Sequence, residues 1–571
     1  MSFLLQTKPI FEPKRTLKVI VIGAGASGLL TAYKLQRHFD NFELNVYEKN
    51  SEASGTWFEN RYPGCACDVP SHCYTWSFEP KTDWSATYAS STEIHQYFND
   101  FMHKYGLQKY VKLQHAVSNA VWNEKTAQWD VTIDDLATGK QIHNSAHVVI
   151  NAAGILNAWR YPPIPGIKEY KGALVHSAAW DPTIELKGKT VGLIGNGSSG
   201  IQILPAIKGE VKELITFIRE PTWVAPPIGQ GYKAYSVEER AKFATDPAFH
   251  LQTRKEIEQG MNSAFAIFHA GSEMQKMTRQ HMLNEMQTKL NNKELEKLLI
   301  PEWSVGCRRL TPGTNYLESL SDPNVKVVYG EIEKITEKGP IVDDGNEYPV
   351  DVLICATGFD TTFKPRFPLI GPKGKALAEV WKDEPQGYLG IAVNDYPNYF
   401  MTLGPNCPIG NGPVLISIES EVDYIIKMLS KFQKENIRSF DVKPEPVQEF
   451  NDWKEHFMSG TIWTEECRSW YKSGNIHGKI AALWPGSTLH YLEALKEPRW
   501  EDWNFEYESK NRFEYLGNGH SSAEVREGGD LSYYIRNHDD DQIDIVLKKP
   551  GNAHPELEGI VPSPDAVKAK L

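Results

Sequence analysis

Two stretches of the chain repeat one order of apolar and polar positions. In the first, residues 18–22 form a nearly continuous apolar run, a segment with helical spacing follows, and a second strand is predicted at 42–48. Continuous apolar runs are typical of strands buried on both faces of a parallel sheet. The second stretch repeats this order, with strands predicted at 190–194 and 214–218 around a helix that ends near Ile207. Each stretch therefore predicts a βαβ unit.

Three more apolar runs predict strands that complete these two units, at 148–154, 325–328 and 352–358. The segment 236–300 differs from them, because it is rich in Glu, Lys, Gln and Met. It opens with Ser-Val-Glu-Glu, in which a serine three residues before a glutamate has the spacing of a helix capping box. We expect two or three helices there, inserted into the second unit.

Composition and charge narrow the class of protein. The 571 residues carry a net charge of −12 with no basic stripe, which argues against a nucleic-acid partner. No apolar run approaches the ~20 residues of a membrane helix, and the N-terminus lacks the features of a secretory signal, so a cytoplasmic protein is expected. The seven cysteines show neither zinc-site nor Cys-x-x-Cys spacing, and we expect reduced structural thiols and no metal site.

Each predicted unit carries a glycine-rich loop between its first strand and its helix. In Gly-x-Gly-x-x-Gly the first glycine makes the turn, the second admits a pyrophosphate, and the third lets the helix pack on the strand. The helix N-terminus then attracts the phosphate charge. The two loops predict two bound dinucleotides, on Gly23, Gly25 and Gly28 in the first unit and on Gly195, Gly197, Ser198 and Gly200 in the second.

The residue that ends the second strand of each unit separates the two ligands. Glu48 stands where a carboxylate accepts hydrogen bonds from a ribose diol, whereas Arg219 stands at the matching point of the second unit, where a cation meets a 2′-phosphate. The first site therefore fits FAD and the second NADPH. A solvated strand end is the alternative for both residues.

The segment between the two loops resembles a known fingerprint. Residues 170–181 are similar to the Phe-x-Gly-x-x-x-His-x-x-x-Trp-Pro/Asp pattern of class B flavoprotein monooxygenases, with Tyr170 in place of the usual Phe. The ending Trp180-Asp181 resembles the branch of type I Baeyer–Villiger monooxygenases. Other segments resemble the same family, at 55–57, 60–64, 67–68, 356–360, 397–405 and 469–471.

The resemblance implies a reaction. NADPH reduces FAD, the reduced flavin captures O₂ as a C4a-peroxyflavin, and its attack on a small-molecule ketone gives an ester or lactone. The resemblance implies Arg309 as the catalytic arginine, with Asp68 near the flavin as its partner, and Arg308 beside Arg219 on the 2′-phosphate. It also implies cofactor contacts from Thr56, Trp57, Asp68 and Tyr74. The residues alone leave alternatives open, an ordinary basic surface pair at 308–309 and a turn-forming Asp68.

The expected fold class is α/β, with two Rossmann-like dinucleotide-binding domains and a helical insertion. The FAD-binding domain is expected to consist of two separate parts of the chain. The NADPH-binding domain, also in two parts, lies between them in the sequence, and a polar C-terminal tail follows both domains. The boundaries are 16–160 and 361–503 for FAD, 161–223 and 303–360 for NADPH, 224–302 for the insertion and 504–571 for the tail.

Several expectations concern roles that the fingerprint itself does not settle. His176 is expected to fix the interdomain linker by hydrogen bonds rather than act as a base, and Trp180 to pack. Trp57 and Tyr62 are candidates to line the flavin, and Trp500 and Trp503 for a substrate-side loop. Oxidation of sulfur or nitrogen is the alternative activity, and a non-catalytic FAD/NADPH-binding sensor is the alternative class. The ketone and the oligomeric state are not predicted.

Overall fold

The computed structural model describes residues 8–12, 15–227 and 231–535. Most of its strands are short, and they lie in three larger sheets and three two-stranded ones. In chain order they are β1 (Leu17–Ile22), β2 (Phe42–Tyr47), β3 (Val111–Lys112), β4 (His115–Asn123), β5 (Gln128–Asp135), β6 (Lys140–Ala146), β7 (Val148–Asn151), β8 (Ala173–His176), β9 (Thr190–Ile194), β10 (Glu213–Ile218), β11 (Val224–Ala225), β12 (Thr311–Pro312), β13 (Val325–Tyr329), β14 (Ile332–Ile335), β15 (Pro340–Val342), β16 (Val352–Cys355), β17 (Leu369–Ile370), β18 (Tyr399–Met401), β19 (Ile437–Val442) and β20 (Trp503–Tyr507).

The helices alternate with these strands in both units and run consecutively after residue 236. In chain order they are α1 (Ala26–His38), α2 (Thr56–Glu59), α3 (Ser91–Lys104), α4 (Ser198–Ile207), α5 (Val237–Thr245), α6 (Pro247–Asn262), α7 (Glu273–Leu290), α8 (Lys293–Leu299), α9 (Tyr316–Ser319), α10 (Leu377–Val380), α11 (Val414–Lys434), α12 (Pro444–Met458), α13 (Thr488–Ala494) and α14 (Ser522–Val525). In the part of the chain that the structure describes, no helix is long and apolar enough to cross a bilayer.

Two five-stranded parallel sheets form the centres of the molecule. The first has the order β18-β7-β1-β2-β3 and the second the order β13-β10-β9-β16-β8. In register, Leu17 to Ile22 pair with Phe42 to Tyr47, and Thr190 to Ile194 pair with Glu213 to Phe217. The α/β fold class and the two predicted βαβ units are confirmed.

Burial explains why these runs are strands. Val19, Val21 and Leu29 belong to one core around the first sheet, and Val191 and Leu193 to another around the second, all with exposures of 1% or less. Burial of one such side chain contributes about 1.5–3 kcal/mol as an upper estimate. The strands are therefore apolar on both faces, as parallel strands covered by helices must be.

A third sheet, β17-β4-β5-β6, flanks the first and was not predicted. Its strands β4, β5 and β6 form an antiparallel meander. Trp129, Val131 and Ile133, with polar residues between them, face a core that they share with residues of the first sheet such as Ile20 and Val149. That alternation of period two is the signal by which the meander can be found in the sequence.

The segment predicted as two or three helices contains four, α5 to α8. The predicted capping box is confirmed, because Ser236 Oγ accepts from the Glu239 N–H and the Glu239 carboxylate accepts from the Ser236 N–H. Arg254 on α6 donates to the carbonyls of His72, Ser77 and Trp76. This helix therefore packs on the part of the chain that precedes the first meander strand.

The region expected as a polar tail starts inside a strand. β20 spans the predicted boundary at 503/504 and pairs antiparallel with β19. Trp503 is 4% exposed and packs in the core around the first sheet, so the expectation of a substrate-side loop at this residue is wrong. Residues 515–520 lie against the N-terminal segment, where Phe11 N–H donates to the Tyr515 carbonyl. The remainder of the predicted tail, 536–571, lies outside the described residues.

Candidate active site

The first glycine loop is built for close backbone approach. Gly23 has φ +101°, and a Cβ there would lie 2.8 Å from the Ala152 carbonyl oxygen. A Cβ on Gly28 would lie 1.9 Å from the Gly23 oxygen. At Gly25 the nearest described atom to an added Cβ is 3.6 Å away, on Gly55. The outer glycines therefore serve packing, whereas the middle one leaves space for a ligand.

A cavity of about 390 Å³ opens at this loop and reaches the carboxyl ends of β1, β2 and β7. The predicted residues Gly23, Gly25, Glu48, Thr56, Trp57 and Tyr74 all line it. Its size falls within the ~300–1,000 Å³ of small-molecule sites. The N-cap of α1 is Gly25 and makes no side-chain cap bond, so the free N–H groups of that helix end can take a phosphate charge. The residues present fit a bound dinucleotide.

Glu48 lies on the wall of this cavity and is 3% exposed. Its Oε2 accepts from the Ala24 N–H at 2.8 Å and its Oε1 from the Asn50 N–H at 2.9 Å. Burial raises the pKa of Glu48, while these two backbone bonds oppose the rise. The carboxylate is thereby held in one position at the end of β2. Its remaining lone pairs can accept hydrogen bonds from the hydroxyl groups of a diol.

The second glycine loop repeats the geometry of the first. Gly195 has φ +104°, and an added Cβ would lie 2.6 Å from the Ala356 oxygen. A Cβ on Gly200 would lie 2.1 Å from the Gly195 oxygen, whereas no described atom lies within 4 Å of one on Gly197. Ser198 begins α4, and its hydroxyl bonds the Thr311 hydroxyl at 2.6 Å. The two loops are thus equivalent sites on two different sheets.

Arg219 and Arg308, both predicted to contact a 2′-phosphate, differ in environment. The Arg219 side chain is 53% exposed and lies 3.6 Å from Glu331. The Arg308 side chain is 19% exposed, stacks 4.8 Å over the Trp303 ring and pairs with the Glu220 carboxylate. Burial lowers the pKa of Arg308, and the charge of Glu220 opposes that effect. Arg219 is therefore exposed at the end of its strand, whereas the positive charge of Arg308 is balanced by a carboxylate of the protein itself.

Asp68 and Arg309 lie together although 241 residues separate them. Arg309 Nε donates to Asp68 Oδ2 at 2.9 Å and Nη2 donates to Oδ1 at 3.1 Å, a bidentate pair. The charge of Asp68 raises the pKa of Arg309, although burial acts against it. Neither Asp68 nor Arg309 lines the cavity, whereas Tyr74, six positions after Asp68, does.

Aromatic residues near the first glycine loop make two kinds of contact. Trp57 Nε1 donates to the Tyr74 hydroxyl at 3.1 Å, and the two rings meet edge to face with centroids 5.4 Å apart. Tyr62 contacts the second unit instead, because its hydroxyl donates to Gln202 Oε1 on α4 at 2.9 Å. Gln202 was not predicted, and it also donates to the Ala66 carbonyl at 2.9 Å. It connects α4, which follows the second glycine loop, to the segment around Tyr62 and Ala66.

His176 has the structural environment that the sequence predicts for it. It is fully buried, accepts from the Ala178 N–H at 3.1 Å, and lies 3.3 Å from the Thr357 hydroxyl. Its ring stacks 4.8 Å from that of Trp159. Burial lowers the pKa of His176 to about 4, so it is neutral at physiological pH. The residue holds the start of the second unit against the segment that ends it.

The expectation of reduced thiols is wrong for two of the seven cysteines. Cys307 and Cys467 form a disulfide, with Cα atoms 6.4 Å apart and a sequence separation of 160. The other five are free and buried. No spacing rule connects two cysteines so far apart, because only the tertiary fold brings them within bonding distance. The bond directly precedes the Arg308-Arg309 pair.

A buried carboxylate behind the cavity was also missed. Glu421 on α11 is fully buried and accepts from the Leu403 N–H at 3.0 Å and the Tyr491 hydroxyl at 3.0 Å. Burial raises its pKa to about 7. Leu403 lines the cavity, so Glu421 supports the wall through the backbone. Its position in the middle of an amphipathic helix gives no sequence signal of this role.

Comparisons with known proteins agree with this geometry. The model of an NAD(P)-binding Rossmann-like domain matches residues 21–91. The chain is 37% identical over 541 residues to the FAD-binding monooxygenase tazF of Aspergillus terreus, covering 92% of this chain and 96% of that one. It is 31% identical to a Baeyer–Villiger monooxygenase of Pseudomonas aeruginosa, covering 87% and 93%. The crystal structure of cyclohexanone monooxygenase from Rhodococcus sp. Phi1 bound to NADP+ superposes with a TM-score of 0.75, at 26% identity, over 87% of this chain and all of that chain.

Proposed function

We propose that in this chain, which belongs to the family of FAD-binding Baeyer–Villiger monooxygenases, Arg309 is the catalytic arginine and Asp68 holds it in place. The protein is an NADPH-dependent flavin monooxygenase with FAD and NADP as its cofactors. Its substrates are a small-molecule ketone and O₂. One oxygen atom enters the bond beside the carbonyl to give an ester or lactone, the other leaves as water, and NADPH supplies the two electrons.

FAD, reduced by NADPH, supplies the activated oxygen. The first glycine loop, Glu48, Thr56, Trp57 and Tyr74 hold that group in the cavity, with Glu48 accepting from its ribose. Ser198 and the second glycine loop hold NADPH, and Arg219 and Arg308 bind its 2′-phosphate. The support is the cavity that the first set lines and the matching geometry of the two loops.

Arg309 offers a permanent positive charge to the ketone oxygen as that oxygen becomes negative. A guanidinium has five N–H donors, and the bidentate contact with Asp68 uses two of them, on Nε and Nη2. The contact fixes the plane of the guanidinium, and the remaining donors keep one direction. A preoriented donor stabilises developing charge without reorganising during the reaction. This bidentate pair is the observation that carries the proposal.

Oxidation of sulfur or nitrogen is the weaker alternative. Two relatives, from Pseudomonas aeruginosa and Streptomyces coelicolor, are named Baeyer–Villiger monooxygenases and are 31% identical to this chain. A small panel of ketones and sulfides, with products identified by mass spectrometry, separates the two activities. Ketone-derived esters support the proposal, and sulfoxides without any ester contradict it.

The test of the residue roles is Arg309→Ala. We expect the flavin to be reduced by NADPH while ester formation is lost, because reduction does not need the oxyanion-stabilising donor. Arg438→Ala is the matched control, since that arginine is also paired, to Glu508, with a side chain 29% exposed. An Arg309→Ala protein with the wild-type ester yield contradicts the assigned role.

A further inference from the structure

Glu220 follows Arg219 directly at the end of β10 and faces two other arginines. Arg308 Nη2 donates to its Oε2, and Arg468 Nε donates to its Oε1 at 3.1 Å. Its backbone carbonyl accepts from Asn196, in the second glycine loop, at 2.9 Å. One carboxylate thus lies between two guanidinium groups at the edge of the second dinucleotide site.

The disulfide fixes the spacing of the two arginines. Arg308 follows Cys307 and Arg468 follows Cys467, so both begin at the two ends of one covalent bond. Arg308 Nη1 also donates to the Pro221 carbonyl at 3.3 Å, and its guanidinium lies over Trp303. Neither arginine can move far from the Glu220 carboxylate without the other, since their backbones are linked.

This arrangement balances charge in a partly dry place. The Glu220 side chain is 25% exposed and that of Arg308 19%. Burial opposes ionisation of Glu220, but Arg468 and Arg308 outweigh it and lower the pKa of Glu220, which is therefore charged. Arg308 Nε is buried and has no hydrogen-bond partner among the residues that the structure describes. A partly buried arginine with no anion beside it is costly, so some anion must stand there at all times.

NADPH brings such an anion and NADH does not. A 2′-phosphate at Arg219 and Arg308 is repelled by the neighbouring Glu220 carboxylate and competes with it for Arg308. Without a 2′-phosphate, Glu220 keeps Arg308 neutralised and nothing is lost. The carboxylate therefore weakens the binding of NADPH and leaves the binding of NADH unchanged.

We propose that Glu220 is a specificity-determining residue whose carboxylate takes the place of the coenzyme 2′-phosphate between turnovers. It then neutralises Arg308 and Arg468, and it releases Arg308 when the phosphate binds. The inference rests on the proposed binding of the 2′-phosphate by Arg219 and Arg308. Its consequence is that the protein discriminates less between NADPH and NADH than its arginines alone would dictate, and releases NADP+ more readily.

The test is equilibrium binding of NADP+ and NAD+ to the oxidised FAD-loaded protein, by isothermal titration calorimetry, for Glu220→Gln and Glu220→Asp. We expect Glu220→Gln to lower the Kd of NADP+ roughly three- to fivefold, the upper part of the range for one partly exposed charge interaction. The Kd of NAD+ should stay unchanged, because NAD+ carries no 2′-phosphate. Glu220→Asp keeps the charge and should keep the wild-type ratio of the two Kd values within about twofold. The matched control is Glu508→Gln, because Glu508 also bridges two arginines, Arg15 and Arg438, away from both loops.

The inference is overturned if the preference for NADP+ over NAD+, the ratio of their two Kd values, stays the same or becomes smaller in Glu220→Gln. This includes the case in which both affinities fall together because Glu220 only supports the fold. Arg219→Ala separates this failure from that of the proposed phosphate site. If Arg219→Ala weakens NADP+ more than NAD+ while Glu220→Gln leaves the ratio unchanged, the inference alone is wrong. If Arg219→Ala weakens both equally, the phosphate site and the inference fall together, while ester formation still tests the reaction.

Discussion

The substitution Asp68→Asn tests how far the orientation of Arg309 controls oxygen insertion. It keeps the size of the side chain and removes the negative charge. In the wild-type protein the carboxylate accepts two bonds from the guanidinium, of 2.9 and 3.1 Å, and the two side chains are only 25% and 31% exposed. An asparagine oxygen can accept one of them. A hydrogen bond to a charged group contributes about 1.5–3 kcal/mol, and we expect a loss of this size in the energy that holds the guanidinium in one direction.

Carried fully into the barrier for oxygen insertion, a loss of about 1.5–3 kcal/mol slows that step roughly 10- to 150-fold. The flavin should still be reduced at close to the wild-type rate. The assay measures flavin reduction anaerobically by stopped flow, and ester and hydrogen peroxide formed per NADPH in air. We expect the ester yield to fall and peroxide to rise by the difference.

Asp322→Asn is the matched control, because Asp322 is paired with Lys208 and its side chain is 34% exposed. It should leave the yield of ester per NADPH unchanged. An Asp68→Asn protein that couples NADPH to ester as well as the wild type refutes the reasoning. So does one in which reduction and ester formation fall by the same factor, since that pattern indicates loss of cofactor rather than of orientation.

Three further outcomes follow from the geometry. Gly25→Ala should fold with an unchanged apoprotein Tm, because its Cβ meets nothing closer than 3.6 Å, yet it should retain less than a tenth of the FAD absorbance. The control Gly209→Ala, whose Cβ lies in open space, should retain all of the FAD absorbance. Equal retention by the two variants contradicts a pyrophosphate at Gly25. Thiol titration of the unfolded protein should find five thiols before reduction and seven after, and Cys467→Ser should lower the free energy of unfolding by about 3–5 kcal/mol; seven thiols before reduction would disprove the disulfide. Burial lowers the pKa of His72 to about 3, so the unfolded chain takes up a proton below about pH 6.5 that the folded chain refuses, and stability falls from there towards pH 3. Between pH 7 and 5 this costs about 2 kcal/mol in urea unfolding, a loss that His72→Phe should avoid, and parallel curves for both proteins would count against it.

The two dinucleotide units are predictable because their signals are local. A strand, a glycine loop and a helix follow one another within about thirty residues, and Glu48 and Arg219 come at fixed distances after the loops. The spacing of Gly23 and Gly28 is itself a local signal, because Gly28 packs against the Gly23 oxygen; the packing of Gly23 against the Ala152 carbonyl, by contrast, depends on the tertiary fold.

The site between the units is not predictable in that way. Asp68 and Arg309 become candidates only through the resemblance to a family, because no local pattern pairs residues 241 positions apart. Glu220, Arg468 and Glu421 gave no signal at all. Each acts through a partner that the tertiary fold supplies, and a lone charged residue in a sequence is most often a solvated one.

The place of β18 in the first sheet has a consequence for how the protein is made. β7 pairs with β18, whose residues Tyr399–Met401 leave the ribosome only after every strand of the second sheet, which is complete at Cys355. The later unit can therefore close its sheet while the earlier one still lacks an edge. During synthesis β7 therefore exposes unpaired N–H and C=O groups, an edge on which another strand can pair. The exposure lasts for the time needed to add about 250 residues, which at ~5–20 residues per second is roughly 10–50 s. A chaperone that binds this chain on the ribosome would find its target at β7.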